Sequence, residues 1–278
     1  MCLLVMAFGL DPAAPLVVGA NRDEHLDRPA TAMTVLQPAE PRILGGRDEL
    51  AGGTWLTVNA HGLVAGLTNR PLPDGPDPSK RSRGELPLIL ARHRHADEAV
   101  DDFLRTVRPA DYNPAWLLVG DRRSLYAIDL SDGERPTSSR LGPGLHILEN
   151  NPFAAPSAKV ENVRRLLGPT GDLAGETLMT RLRALLADHS TPETPDAPTP
   201  PDAPASPDTP TSPDKTASGR RPETLAACVH TENYGTRSSS LIRVFAAETR
   251  PPQVLFADGH PCTAVFADAG ALWTDPPV

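Results

Sequence analysis

The order in which strand-like and helix-like stretches follow one another constrains this chain more than any single motif. Residues 2–8 and 16–21 are Leu- and Val-rich runs joined through Gly9-Leu10-Asp11-Pro12, and they read as a hairpin of buried strands. A short strand is expected at 32–36, with Gly45-Gly46 and Gly52-Gly53 punctuating a loop. Residues 54–58 and 63–68 then pair across the turn at Asn59-Ala60-His61-Gly62. Helical spacing takes over at 86–94, where Pro87 is tolerated in the first turn. It continues at 96–108, where Ala99, Val100, Phe103, Leu104 and Val107 share a face. Strands return at 115–120, 125–130, 135–141 and 145–148. Two more helices follow, 157–167 behind a Ser157 cap and 176–187. Strands close the chain at 224–230, 237–246 and 254–256. Segregated blocks of this kind argue for an α+β fold rather than an alternating parallel sheet. The simplest arrangement is two antiparallel sheets packed together, with helices outside.

One stretch departs from this pattern. Between about 190 and 221, prolines alternate with Thr, Asp, Ser and Ala. Such a segment has no apolar surface to offset its ordering entropy, so a disordered or polyproline-II insert is expected, interrupting a single domain over 1–278. It holds nine of the 32 prolines and dilutes the hydrophobic share to 39%. The net charge of −8 excludes non-specific nucleic-acid binding, which needs a basic surface. Three cysteines with no framework spacing fit a reducing, cytoplasmic setting. No apolar run reaches membrane-spanning length and no signal peptide is read, so no membrane insertion is expected.

Cys2 heads the first strand. A thiol there is ordinarily a core hydrophobe. Removal of Met1, expected before so small a residue, would instead leave a thiol and an α-amine on one residue. The amine, near pKa ~8, is a matched base for a thiol near ~8.5. That is the chemistry of an N-terminal nucleophile. Asn21-Arg22-Asp23-Glu24 ends the second strand. There Asp23 can hold the amine, and Arg22 can offset developing charge or bind a carboxylate. Asn69 and Asn150 each follow a strand end and supply the side-chain type that donates to an oxyanion. Arg237 is a second cationic candidate. The histidines carry no metal reading. Cys228-Val229-His230 alternates onto one strand face, but no second pair completes a four-ligand zinc site. No metal and no resident cofactor is therefore expected.

Several stretches together resemble the NRDE family, also named the transport and Golgi organisation protein two family. They are Met1-Cys2, Ala20-Asn21-Arg22-Asp23-Glu24, Arg28-Pro29, Gly52-Gly53-Thr54-Trp55-Leu56, Leu67-Thr68-Asn69, Ser82-Arg83-Gly84-Glu85-Leu86 and Tyr234-Gly235-Thr236-Arg237-Ser238. They occur in the family's order over nearly the whole chain. The resemblance implies a four-layer αββα fold of the N-terminal-nucleophile hydrolase type. It also implies roles in haem handling and in lipid or membrane-traffic homeostasis, with haem or a lipid as a bound ligand. A more distant likeness joins Asn21-Arg22-Asp23, Gly62–Asn69 and Leu148-Glu149-Asn150-Asn151-Pro152 to the penicillin V acylase and bile-salt hydrolase group. That likeness implies Cys2 as nucleophile, Asp23 orienting the amine, and Asn69 and Asn150 serving the oxyanion or amine, with Arg237 as the late arginine. Asn69 is displaced by one position, and Ala20 stands where the group has an arginine. Asn21, Arg22, Glu24 and Trp55 are the expected substrate-binding residues. The expected activity is hydrolysis of an amide C–N bond in a small acylated substrate. The alternative is a non-catalytic haem or lipid carrier using the same cleft.

Overall fold

The computed structural model describes residues 2–131, 133–192 and 222–274, so most of the expected Pro-rich insert lies outside the described residues. The chain runs β1 (Cys2–Phe8), β2 (Leu16–His25), β3 (Ala30–Gln37), β4 (Ile43–Asp48), β5 (Leu56–Asn59) and β6 (Val64–Asn69). Helices α1 (Leu86–Ala91) and α2 (Ala96–Thr106) precede β7 (Ala115–Gly120), β8 (Leu125–Asp129), β9 (Thr137–Leu141) and β10 (Gly144–Leu148). Then come α3 (Ala158–Leu167), α4 (Gly175–Leu186), β11 (Tyr234–Val244), β12 (Gln253–Asp258) and β13 (Ala267–Asp268).

The strands form two antiparallel sheets. One is ordered β10-β1-β2-β11-β12-β13; the other is a meander from β3 to β9. The apolar run of β1 is continuous because both of its faces are covered. Leu4, Met6 and Phe8 point between the sheets, where they meet Leu56, Val64 and Leu118. Leu3, Val5 and Ala7 point outward against Val163, Leu167, Leu178 and Leu182 of α3 and α4. On the far side, Leu86, Leu90, Val100 and Phe103 of α1 and α2 cover Ile43, Leu63 and Leu117. The layers are therefore α-β-β-α. Each such buried side chain stabilises the fold by roughly 1.5–3 kcal/mol.

Two expectations fail for identifiable reasons. Gly45-Gly46 belongs to β4 rather than a loop. A Cβ on Gly46 would lie 2.0 Å from a Trp55 ring carbon, so the glycine leaves room for the indole inside a strand. Residues 224–230 do not form a strand. A 3₁₀ turn covers Pro222–Leu225, and His230 makes only a single bridge to Gly235. Their main chain finds partners elsewhere: Cys228 N donates to Asp188 O at 2.8 Å, and Val229 N donates to Thr236 Oγ1 at 2.9 Å.

Candidate active site

β2 continues through Asn21-Arg22-Asp23-Glu24 to His25, so these residues are strand rather than turn. Cys2 pairs with Arg22 in the β1–β2 ladder, and Arg22 and Asp23 pair with Ser238 and Thr236 of β11. β10 pairs with β1 at Leu4–Leu148, and two residues further on the chain brings Asn150 opposite Cys2. The backbone N–H of Cys2 donates to Asn150 Oδ1 at 2.9 Å. Asn150 Nδ2 donates in turn to Asn69 O at 2.5 Å, and Thr68 Oγ1 donates to Glu149 O at 2.8 Å. The end of β6 in one sheet is thus stitched to the end of β10 in the other, with the Cys2 nitrogen held at the seam.

A cleft of about 640 Å³ opens there, lined by Cys2, Arg22, Asp23, Glu24, Trp55, Asn69 and Asn150 among others. Seven of the nine residues singled out in the sequence therefore share one site. Arg22 is 4% exposed; its guanidinium lies 4.4 Å from the Trp55 ring centre and pairs with Asp48 at 3.1 Å. Among the described residues, Arg22 Nη1 has no hydrogen-bond partner. Burial pushes the Cys2 thiol above its ordinary value; the nearby Asp23 carboxylate adds to this, and Arg22 opposes it.

The other two residues lie elsewhere. Asn21 faces the helical layer: its Nδ2 donates to Leu186 O and Ala227 O, and its Oδ1 accepts from Ser239 Oγ at 2.5 Å. It pins α4 to the sheet instead of binding a ligand in the cleft. Arg237 sits at the irregularity between Thr236 and Ser238, which turns its side chain toward the β2–β3 connection. There it donates to Leu26 O at 2.6 Å and Arg28 O at 3.4 Å, away from Cys2.

The structure adds residues that sequence reasoning missed. Lys159, on the second residue of α3, is 1% exposed, and its Nζ is 3.7 Å from Asp23 Oδ2. Thr236 Oγ1 donates to Asp23 Oδ1 at 2.6 Å. Burial raises the Asp23 carboxyl, while Lys159 and the Thr236 hydrogen bond work against that rise. A signal for Lys159 existed: Lys159, Val163 and Leu167 recur at helical spacing on the buried face, and a lysine on an apolar stripe calls for an acidic partner. Arg28 and Asp48 form a two-pronged pair at 2.7 and 3.2 Å on the cleft wall. The expectation that no second pair joins Cys228 and His230 is also corrected: His189 and Cys262 come to them.

The model of the family described as Transport and Golgi organisation 2 matches residues 1–250. This chain belongs to that family. A Transport and Golgi organization protein 2 homolog from Bos taurus is 28% identical over 99% of this chain and 95% of its own length. A Mus musculus homolog is 36% identical over 31% of the chain and 33% of its own length. Among solved structures, a variant of the conjugated bile acid hydrolase from Clostridium perfringens aligns with TM-score 0.50 and 11% identity, over 99% of this chain and 95% of that one. The penicillin V acylase from Agrobacterium tumefaciens aligns with TM-score 0.48 and 13% identity, over 96% and 86%. The fold is that of the N-terminal-nucleophile hydrolases. For this family member, the Gly-Gly-Thr-Trp and Ser-Arg-Gly-Glu stretches now have a structural reason. Gly53 and Gly84 meet backbone to backbone, where a Cβ on Gly53 would lie 2.6 Å from Gly84 Cα, and Thr54 N donates to Gly84 O at 3.0 Å.

Proposed function

We propose that this family member is a cysteine amidohydrolase whose nucleophile is Cys2, acting on a small acylated substrate after cleavage of the Met1–Cys2 bond. One observation carries the reading: the Cys2 nitrogen already sits 2.9 Å from Asn150 Oδ1, at the rim of a cleft that Cys2 itself lines. Freed as an α-amine, that nitrogen would stay anchored while taking the thiol proton. A thiol raised by burial needs such a base. The thiolate attacks the amide carbonyl carbon, forming the C–S bond and moving the π pair to oxygen. Asn69 Nδ2 and Arg22 Nη1 are the donors assigned to that oxyanion. Collapse breaks the C–N bond, and the leaving amine takes the proton from the α-ammonium. Water, deprotonated by the α-amine, then hydrolyses the thioester and restores the thiol. Asp23, held by Lys159 and Thr236, supplies a fixed negative charge beside the ammonium.

The direct test is incubation with an electrophilic amide, followed by peptide mapping. A single acyl or alkyl adduct on Cys2, lost in Cys2→Ala and slowed in Asn150→Ala, is the expected result. Turnover unaffected by Cys2→Ala would remove the proposal.

The charge of the cleft favours a second reading. Among its lining residues the cations Arg22, Arg28, Lys80, Arg81 and Arg83 outnumber the carboxylates Asp23, Glu24 and Asp48, a surplus of positive charge suited to an anionic head group. The same cleft would then carry haem or an amphipathic lipid without breaking a bond. Haem or lipid binding that survives Cys2→Ala, with no covalent adduct, supports the carrier; no binding at any concentration tested excludes it.

A further inference from the structure

A second cluster lies behind Asp23, on the far side of Thr236. His189 follows α4, Cys228 and His230 lie in the irregular stretch before β11, and Cys262 lies in the β12–β13 connection. Three separate segments thus deliver two thiols and two imidazoles, one ligand atom from each within 4.8 Å of all the others. Cys262 Sγ and His230 Nε2 are 3.3 Å apart. Metal–ligand lengths of about 2.0–2.3 Å give a zinc tetrahedron edges of about 3.3–3.8 Å, so the four atoms need only a small contraction to surround one ion. The supporting geometry is also in place. His189 Nδ1 donates to Cys228 O at 3.2 Å, which fixes the tautomer and leaves the Nε2 lone pair for coordination. His260 stacks on His230 with ring centres 3.8 Å apart and holds its plane.

We infer that His189, Cys228, His230 and Cys262 form a structural Zn²⁺ site. A borderline-soft, tetrahedral S₂N₂ set selects zinc over the oxygen-seeking Mg²⁺ and Ca²⁺. Binding forms two Zn–S and two Zn–N bonds. Each thiol releases its proton to solvent, so two protons leave per ion and no electron moves. Two thiolates and two neutral imidazoles leave the centre with no net charge. With four protein ligands the centre is closed and has no position for substrate, so its role is mechanical. It would fasten residue 189 to residues 228–230, the two flanks of the segment 193–221, and draw in the 259–266 connection. The clamp sits one residue from the candidate active site, because Val229 N and Thr236 Oγ1, then Thr236 Oγ1 and Asp23 Oδ1, are hydrogen-bonded in series.

The test uses the full chain carrying Cys2→Ala, so that only Cys228 and Cys262 can supply thiolate and failure of the nucleophile reading leaves the result untouched. Reduced, chelator-stripped protein is titrated with Co²⁺. The expected result is the visible spectrum of tetrahedral thiolate-bound cobalt, saturating at one equivalent and abolished by one equivalent of Zn²⁺. Cys262→Ser and His189→Ala alter exposed side chains and so keep the fold, as circular dichroism will verify. Each should weaken cobalt binding by more than about 100-fold, beyond the 10–100-fold typical of losing an outer partner. Three results overturn the assignment: no tetrahedral spectrum, a spectrum indifferent to both variants, or a Cys228–Cys262 disulfide in place of bound zinc in protein purified without reductant or chelator.

Discussion

The two helical layers cover their sheets in different ways. The α1/α2 layer meets its sheet almost wholly through hydrocarbon: Leu86, Leu90, Val100 and Phe103 lie on Ile43, Leu63 and Leu117. Its buried polar groups serve helix ends: Asn59 donates to the carbonyls of Ala91 and His93 at the end of α1, and Asp121 accepts from Ala96 N at the start of α2 at 2.8 Å. The α3/α4 layer buries a charge pair, Lys159–Asp23, together with Asn21 and Asn162. A buried ion pair rarely gains net stability over hydrocarbon of the same shape. Among the described residues, a fully buried lysine–carboxylate pair lies under this layer and not under α1/α2, which points to a demand other than stability. Cys2 begins the strand over which that second layer packs, and Asp23 follows Arg22, the residue that pairs with Cys2. The inert layer is optimised for packing, whereas the other is compromised where the chemistry is proposed.

Perturbing the two layers in parallel separates these roles. Lys159→Ala should have the largest effect, about 3–5 kcal/mol in urea unfolding, because it strands a buried carboxylate. It should also change the rate at which Cys2 is alkylated. Phe103→Ala, in the inert layer, should cost a similar ~3–5 kcal/mol through the cavity it leaves, with Cys2 alkylation unchanged. Equal effects of the two variants on Cys2 would erase the distinction between the layers. Asn21→Ala leaves the Leu186 and Ala227 carbonyls without their donor and should cost about 1–3 kcal/mol while leaving the cleft intact. Loss of ligand binding at unchanged stability would restore Asn21 to the substrate site. Ser157→Ala removes the hydroxyl that accepts from Val160 N and should cost about 1 kcal/mol by thermal melting.

The smallest effect concerns Asp48. Burial opposes its charge, yet hydrogen bonds from Arg28 and the Ala51 N–H, with the charges of Arg28 and Arg22, hold its carboxyl below the ordinary range. A depressed folded-state value means that this stabilisation is fully present above the unfolded value, near ~4, and is lost as pH falls through the folded value. Solvent screens the pair, so the contribution should stay under about 1 kcal/mol. Unfolding midpoints at neutral and acid pH should differ less in Asp48→Asn than in the unaltered chain; an identical pH dependence would deny the pair any role.

Much of this could be read in advance because it depends on local periodicity. The blocks of strand and helix spacing led to two antiparallel sheets with helices outside, and Ser157 does cap α3. The polar residues at strand ends marked the cleft because β1 and β2 are central and their ends converge. What could not be read required non-local geometry. Gly45-Gly46 resembles a loop unless the position of the Trp55 ring is known. Asn21 and Arg22 are neighbours in sequence, but alternation sends one to the helices and the other to the cleft, and a motif does not reveal which. Arg237 falls at a register irregularity, so its direction depends on the pairing of β11 with β2. The Cys/His cluster draws His189 and Cys262 from segments far apart in the chain, beyond the reach of any spacing rule applied to Cys228-Val229-His230.

The proposed role of Cys2 as an N-terminal nucleophile held by Asn150 requires a free α-amine on that residue. Intact-mass analysis of the purified native protein tests it most directly. The expected mass lacks Met1, with Cys2 at the amino terminus. A mass retaining Met1 would contradict it, because the nitrogen at Asn150 would then be an amide with no lone pair to accept the thiol proton.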